Sequence, residues 1–130
     1  MERGQPDIET AVVRVRTPEV GMIVLDEDRR EVVLQLFDGR GPLPQVVERM
    51  FAMAYANMTA VRVELTAGPG STRDEVVVIG TLELTGLPPR DRGAPLSLRV
   101  ERTEGFIDAE LVEVQSGRSE RLRVAAVLLE

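Results

Sequence analysis

Gly80-Thr81-Leu82-Glu83-Leu84-Thr85-Gly86-Leu87-Pro88-Pro89-Arg90-Asp91-Arg92-Gly93-Ala94-Pro95 is the stretch whose reading decides the fold. Leu82 and Leu84 alternate with polar neighbours at the period of a half-buried strand, and the alternation stops at Gly86. Pro88-Pro89 pre-sets the backbone for a rigid turn, and Gly86 and Gly93 can take angles that other residues resist. Beyond Pro95, Leu96-Ser97-Leu98-Arg99-Val100 resumes the alternation. Strand, proline-rich turn and strand predict one corner of a β-sandwich.

The same pattern extends outward on both sides. Glu75 to Leu84 reads as one long strand in which Gly80 marks a bulge or bend. Before it, Ala67 to Asp74 is a loop tip, and Val61-Arg62-Val63-Glu64-Leu65 alternates as a strand. Asp38 to Pro44 is a further loop. Val20 to Leu25 and Glu31 to Phe37 flank the charged turn Asp26-Glu27-Asp28-Arg29-Arg30 and predict a hairpin. Ala11 to Arg16 alternates valine with arginine as an edge strand, ended by Thr17-Pro18. Downstream, Arg102-Thr103-Glu104-Gly105 turns the chain into Phe106 to Val114. Gln115 to Glu120 then leads to a last strand, Arg121 to Leu129, with helical tendency at Ala125-Ala126. One segment does not fit. Over Gln45 to Ala60, Val46, Val47, Met50, Phe51, Ala54 and Tyr55 recur at helical spacing, and the composition favours a helix. The expected fold class is all-β, an antiparallel β-sandwich of about eight strands. It forms a single domain over residues 11–130 after a flexible tail over 1–10.

Composition narrows the function. At 130 residues the chain can bury a core without staples. It has no cysteine, which excludes disulfides and thiolate chemistry, and no histidine, the commonest general base and transition-metal ligand. All sixteen basic residues are arginine and the net charge is −6, which argues against nucleic-acid binding. Phe37, Phe51, Tyr55 and Phe106 are too few for a base-stacking platform. No apolar run is long enough to cross a bilayer, and Met1-Glu2-Arg3-Gly4 opens no signal peptide, so the expectation is a cytoplasmic, soluble domain with no membrane partner. Asp26-Glu27-Asp28 lacks the ligand spacing of a calcium loop, and Gly68-Pro69-Gly70-Ser71 lacks the lysine of a phosphate loop. Arg90-Asp91-Arg92 reads as a corner ion pair rather than an anion site. The carboxylates have no recognisable catalytic partner, so no enzyme activity, metal or cofactor is expected.

Thr17-Pro18, Gly21-Met22, Leu43-Pro44, Met50-Phe51, Ala54, Asn57, Val61 and Val63 occur in that order. Leu84, Gly86, Leu87, Pro89, Arg92, Gly93 and Pro95 follow in the corner. From Thr17 to Val124 this text resembles the substrate-binding β-domain of the DnaK-type, seventy-kilodalton heat-shock chaperones. The resemblance implies a sandwich that holds an extended peptide in a channel between its loops. By position, Met22, Phe51, Val61 and Val63 would line an apolar pocket for one side chain, and Leu25 and Ala54 would arch over the peptide backbone. Met58 stands where the family often carries a polar loop residue. The resemblance also implies strands, not a helix, across Leu43 to Val63, so the two readings of that segment conflict. Neither the family's ATPase domain nor its helical lid is expected here. Ala11-Val12-Val13-Arg14-Val15-Arg16 stands in place of its apolar-acidic linker.

Two functions follow as expectations. The first is a non-catalytic peptide-binding module whose partner is an extended apolar peptide or unfolded protein segment. The second is an assembly domain that keeps the sandwich, has lost the groove, and forms a homo-oligomer through its apolar 46–55 segment. Met22, Leu25, Phe51, Val61 and Val63 also read as plain sandwich core, the default for inward apolar residues and the reading favoured over an open groove. Met50, Met53 and Met58 read as an adaptable binding surface or, the favoured reading, as ordinary core or a self-association patch.

Overall fold

The computed structural model describes residues 8–15 and 19–128, with side chains described from 19 to 125. Thr17-Pro18 and the first seven residues of the expected tail lie outside the described residues. The nine strands described are β1 (Ile8–Val15), β2 (Val20–Leu25), β3 (Glu31–Phe37), β4 (Gln45–Ala52), β5 (Val61–Ala67), β6 (Val77–Leu84), β7 (Pro95–Arg102), β8 (Phe106–Glu113) and β9 (Ser119–Leu128). A single 3-10 turn, Arg73–Glu75, lies between β5 and β6.

The strands form two sheets, ordered β1-β9-β8-β7-β4 and β3-β2-β5-β6. The fold is therefore an all-β sandwich. Every pairing is antiparallel except β1 with β9, which is parallel. Period-2 patterning sends one face of each strand inward. Leu96, Leu98 and Val100 of β7 meet Ile107, Ala109 and Leu111 of β8 on one inner face. Val61, Val63 and Leu65 of β5 meet Leu82 and Leu84 of β6 on the other. Leu65, Val100, Leu111 and Val124 are fully buried, and each such leucine contributes about 1.5–3 kcal/mol.

Gly80 does mark an irregularity. Leu65 pairs with Gly80 and Thr66 with Val78, so Ile79 is the extra residue of a bulge. Two expectations need correcting. The helix favoured over Gln45–Ala60 is absent: Gln45–Ala52 is the edge strand β4, paired with β7 from Gln45↔Arg102 to Ala52↔Pro95. Sheet pairing outweighs a helix propensity worth only tenths of a kcal/mol per residue. Helical tendency at Ala125-Ala126 is likewise overridden, because β9 runs through Leu128 and is paired on both sides.

Candidate functional site

A cavity of about 690 Å³ lies between the two sheets. Its origin is a ladder that stops short. β2 pairs with β5 at Val20↔Ala67, Gly21↔Thr66 and Met22↔Leu65, and beyond Met22 the two strands no longer pair with each other. Ile23 to Leu25 stay with β3, and Val61 to Glu64 stay with β6. The unpaired halves diverge and leave the cavity. Gly21 lets β2 lie close to both neighbours at the paired end, because a Cβ there would lie 3.1 Å from Thr66 Oγ1 on β5 and 2.8 Å from the Leu34 carbonyl oxygen on β3.

All seven residues singled out in the sequence line this cavity: Met22, Leu25, Phe51, Ala54, Met58, Val61 and Val63. Met22, Val61 and Val63 are buried in its floor, Phe51, Ala54 and Met58 are half-buried, and Leu25 is 46% exposed. Leu43 to Val63 does thread two strands, but β4 and β5 belong to opposite sheets and are not hydrogen-bonded neighbours. β4 and β7 contribute Phe51 and its cross-strand partner Leu96, while β2 and β5 supply the opposite wall. Met22, Val61 and Val63 are core and cavity wall together, with Phe51 and Met58 packed against that core, whereas Leu25 and Ala54 lie outside it.

Sequence reasoning missed the charged part of the lining, Glu31, Arg62, Glu64 and Arg73. Arg73 lies in the loop before β6 and reaches over β2 to carboxylates on β3 and β5. Its Nε and Nη2 donate to Glu31 at 3.0 and 2.7 Å, and its Nη1 and Nη2 donate to Glu64 at 3.1 and 2.6 Å. These hydrogen bonds hold both carboxyls below the usual carboxylate range, which suits them as charge partners rather than proton donors. No spacing rule links positions 31, 64 and 73, so nothing in the sequence pointed to the cluster.

The loop carrying Ala54 and Met58 is fixed by the corner from which the sequence was read. Met53 N–H donates to Ala94 O (2.9 Å), Gly93 N–H to Met53 O (2.9 Å), Asn57 N–H to Arg90 O (2.6 Å) and Leu87 N–H to Thr59 O (2.9 Å). The corner is anchored in turn by Glu113, which is fully buried and accepts Arg90 Nε at 2.8 Å and Nη2 at 3.3 Å. Ser116 Oγ also donates to Glu113, and Arg118 Nη1 donates to Gly86 O at 2.6 Å. The corner ion pair expected within Arg90-Asp91-Arg92 is therefore a different one, because Arg90 pairs with Glu113 on the next hairpin. Arg90 holds the Glu113 carboxyl below its ordinary range, with Ser116 adding to the effect. Among the described residues, no helix is long and apolar enough to cross a membrane.

No protein-family model matches the chain. Over 95 residues, 69% of the chain, it is 25% identical to "Chaperone protein DnaK" of two Halobacterium salinarum strains, R1 and NRC-1. The match takes in 15% of the length of those proteins. What the fold and the cavity accompany is thus a similarity, over about 69% of this chain, to a short part of a DnaK chaperone.

Proposed function

We propose that the chain is a non-catalytic module that binds an extended, apolar segment of polypeptide in the cavity between its sheets. The observation that carries this reading is the β2–β5 ladder, which ends after three pairs and leaves an apolar-walled space of about 690 Å³. Met22, Val61 and Val63 form the floor and Phe51 the facing wall for one large side chain, and Leu25 and Ala54 border the peptide backbone. An extended segment offers free backbone groups along its length, so affinity comes without reading much sequence. The similarity to DnaK supports unfolded protein as the client class and the cytoplasm as the location. Neither nucleic acid nor membrane is a partner in this reading, given the net charge of −6.

Titration with a leucine-rich heptapeptide, followed by amide NMR, tests the proposal. The amides of Met22, Leu25, Ala54 and Val61 shift on binding; if those signals stay still at millimolar peptide, the reading is wrong. Leu25→Ser weakens binding about three- to tenfold by removing one partly exposed contact. It leaves the fold intact because Leu25 is 46% exposed.

A second reading has its own observation. β4 is an edge strand, and its outward residues Val46 and Met50 are 47% and 65% exposed. Such an edge is a template for pairing with another copy. Sedimentation decides between them: a dimer unaffected by peptide favours assembly through 46–55.

A further inference from the structure

Two loops border the cavity as its lips. One is the turn 26–30, which joins the lining residues Leu25 and Glu31, and the other is the 53–60 segment that carries Ala54 and Met58. Among the described residues, two non-glycine residues have left-handed backbone, Arg29 and Asn57, both at φ 62, one in each lip. Such conformations persist only where the surroundings over-determine them, and they gather at clamps and switches. Here the surroundings are explicit. Asp26 Oδ1 accepts the N–H groups of Asp28 and Arg30 at 2.8 and 2.9 Å, and Arg29 N–H donates to Asp26 O at 3.0 Å. Asn57 N–H is held by Arg90 O at 2.6 Å. So disposed, the Arg29 guanidinium carbon lies 4.6 Å from the centroid of the Tyr55 ring. The contact joins the two lips, and no backbone hydrogen bond between them accompanies it among the described residues. The root of the first lip is fixed separately, by Arg73 bridging Glu31 and Glu64.

We propose that Arg29 and Tyr55 form a clasp across the cavity mouth, which parts before an extended segment enters or leaves. The clasp deepens the peptide-binding reading and rests on it for its kinetic consequence, but its geometry is independent of any peptide. An exposed cation–π contact is weak, so the clasp is a brake on exchange rather than a lock, altering opening by about two- to fivefold.

The test has two stages. Tyr55 is the sole tyrosine and there is no tryptophan, so tyrosine ring signals report on the clasp alone. In the free protein, Arg29→Ala shifts the Tyr55 ring resonances, and both Arg29→Ala and Tyr55→Leu speed amide hydrogen exchange at Asp26 and Asn57 by about two- to fivefold. The Gly117 amide, bonded to Glu113 O in a distant turn, keeps its rate. Tyr55→Phe retains the ring and behaves as the parent chain. If ring signals and exchange are unchanged in Arg29→Ala, there is no clasp. In the second stage, stopped-flow mixing with a leucine-rich heptapeptide lacking aromatics measures binding and release. Both rates rise by about two- to fivefold in Arg29→Ala and Tyr55→Leu, with little change in their ratio. Equal rates in all variants refute the gating role. Faster exchange without any peptide binding overturns the peptide-binding reading and leaves the clasp as a tie between loops.

Discussion

At Gly80 a methyl group would lie 2.5 Å from Leu122 Cδ2 and 3.1 Å from Val124 Cγ2, so the bare backbone of β6 packs directly against side chains of β9 on the facing sheet. Leu122 and Val124 are buried and cannot swing away. Gly80→Ala is therefore expected to destabilise by about 1–3 kcal/mol in urea unfolding, the cost of overpacking a filled core. Gly105→Ala is the control. Nothing lies within 4 Å of its added methyl, and its φ is not left-handed, so its effect stays within about 0.5 kcal/mol. The sequence disclosed that Gly80 was irregular, since a glycine inside an apolar strand invites a bulge. It did not disclose the reason, because Leu122 and Val124 are more than forty positions away in the chain. Glu113 teaches a related lesson. Ile107, Ala109, Leu111 and Glu113 share one face of β8, so alternation alone sends Glu113 inward. Its partner Arg90 lies on another loop, and no local rule names it.

Among the elements, β4 is where reading by period failed. Helical spacing groups Val46, Val47, Met50 and Phe51 on one face, whereas the strand splits them. Val47 and Phe51 pack against the core, and Val46 and Met50 face out. Single substitutions separate the two arrangements. Val46→Thr and Met50→Thr leave stability within about 0.5 kcal/mol, as outward positions should. Phe51→Ala costs about 2 kcal/mol, less than the roughly 3–5 of a fully buried phenylalanine because Phe51 is only half-buried. A helix would have made all of these substitutions costly. The strand assignment was legible only through the resemblance, because the forces that decide it are pairings with Pro95–Arg102, some fifty residues on. The seven residues that the resemblance singles out fall in the lining of the cavity, while the Glu31–Arg73–Glu64 cluster has no counterpart in any motif of the text.

At the scale of the whole molecule, the corner that betrayed the fold also supports the cavity, and the link is expected to be acid-sensitive. The loop bearing Ala54 and Met58 hangs by backbone hydrogen bonds from residues 87–94, which are held by Arg90 on buried Glu113. With neither histidine nor cysteine in the chain, no side chain of ordinary pKa titrates between pH 6 and 8, and stability is expected to be flat there. Below that range the lowered carboxyls act. Glu113 is held down by Arg90 and then by Ser116, and Glu31 and Glu64 by Arg73. Because each folded pKa lies below its unfolded value of about 4.3, the stabilisation is fully present above that value. It is lost as pH falls through the folded values. Glu113 dominates, since it is fully buried, whereas Glu31 is half exposed and screened by solvent. Urea midpoints measured from pH 7 to pH 2 should hold steady to about pH 4.5 and then decline. Glu113→Gln should lower the midpoint at pH 7, by leaving Arg90 without its counter-charge, and flatten the decline below pH 4.5. A decline as steep as the parent's would show that Glu113 gains nothing from Arg90 on folding. The same acid step should loosen the lip before it unfolds the sandwich. The protection of the Asn57 amide against exchange, corrected for the intrinsic pH dependence of exchange, is then expected to fall at a higher pH than that of Leu111, which lies on the fully buried face of β8.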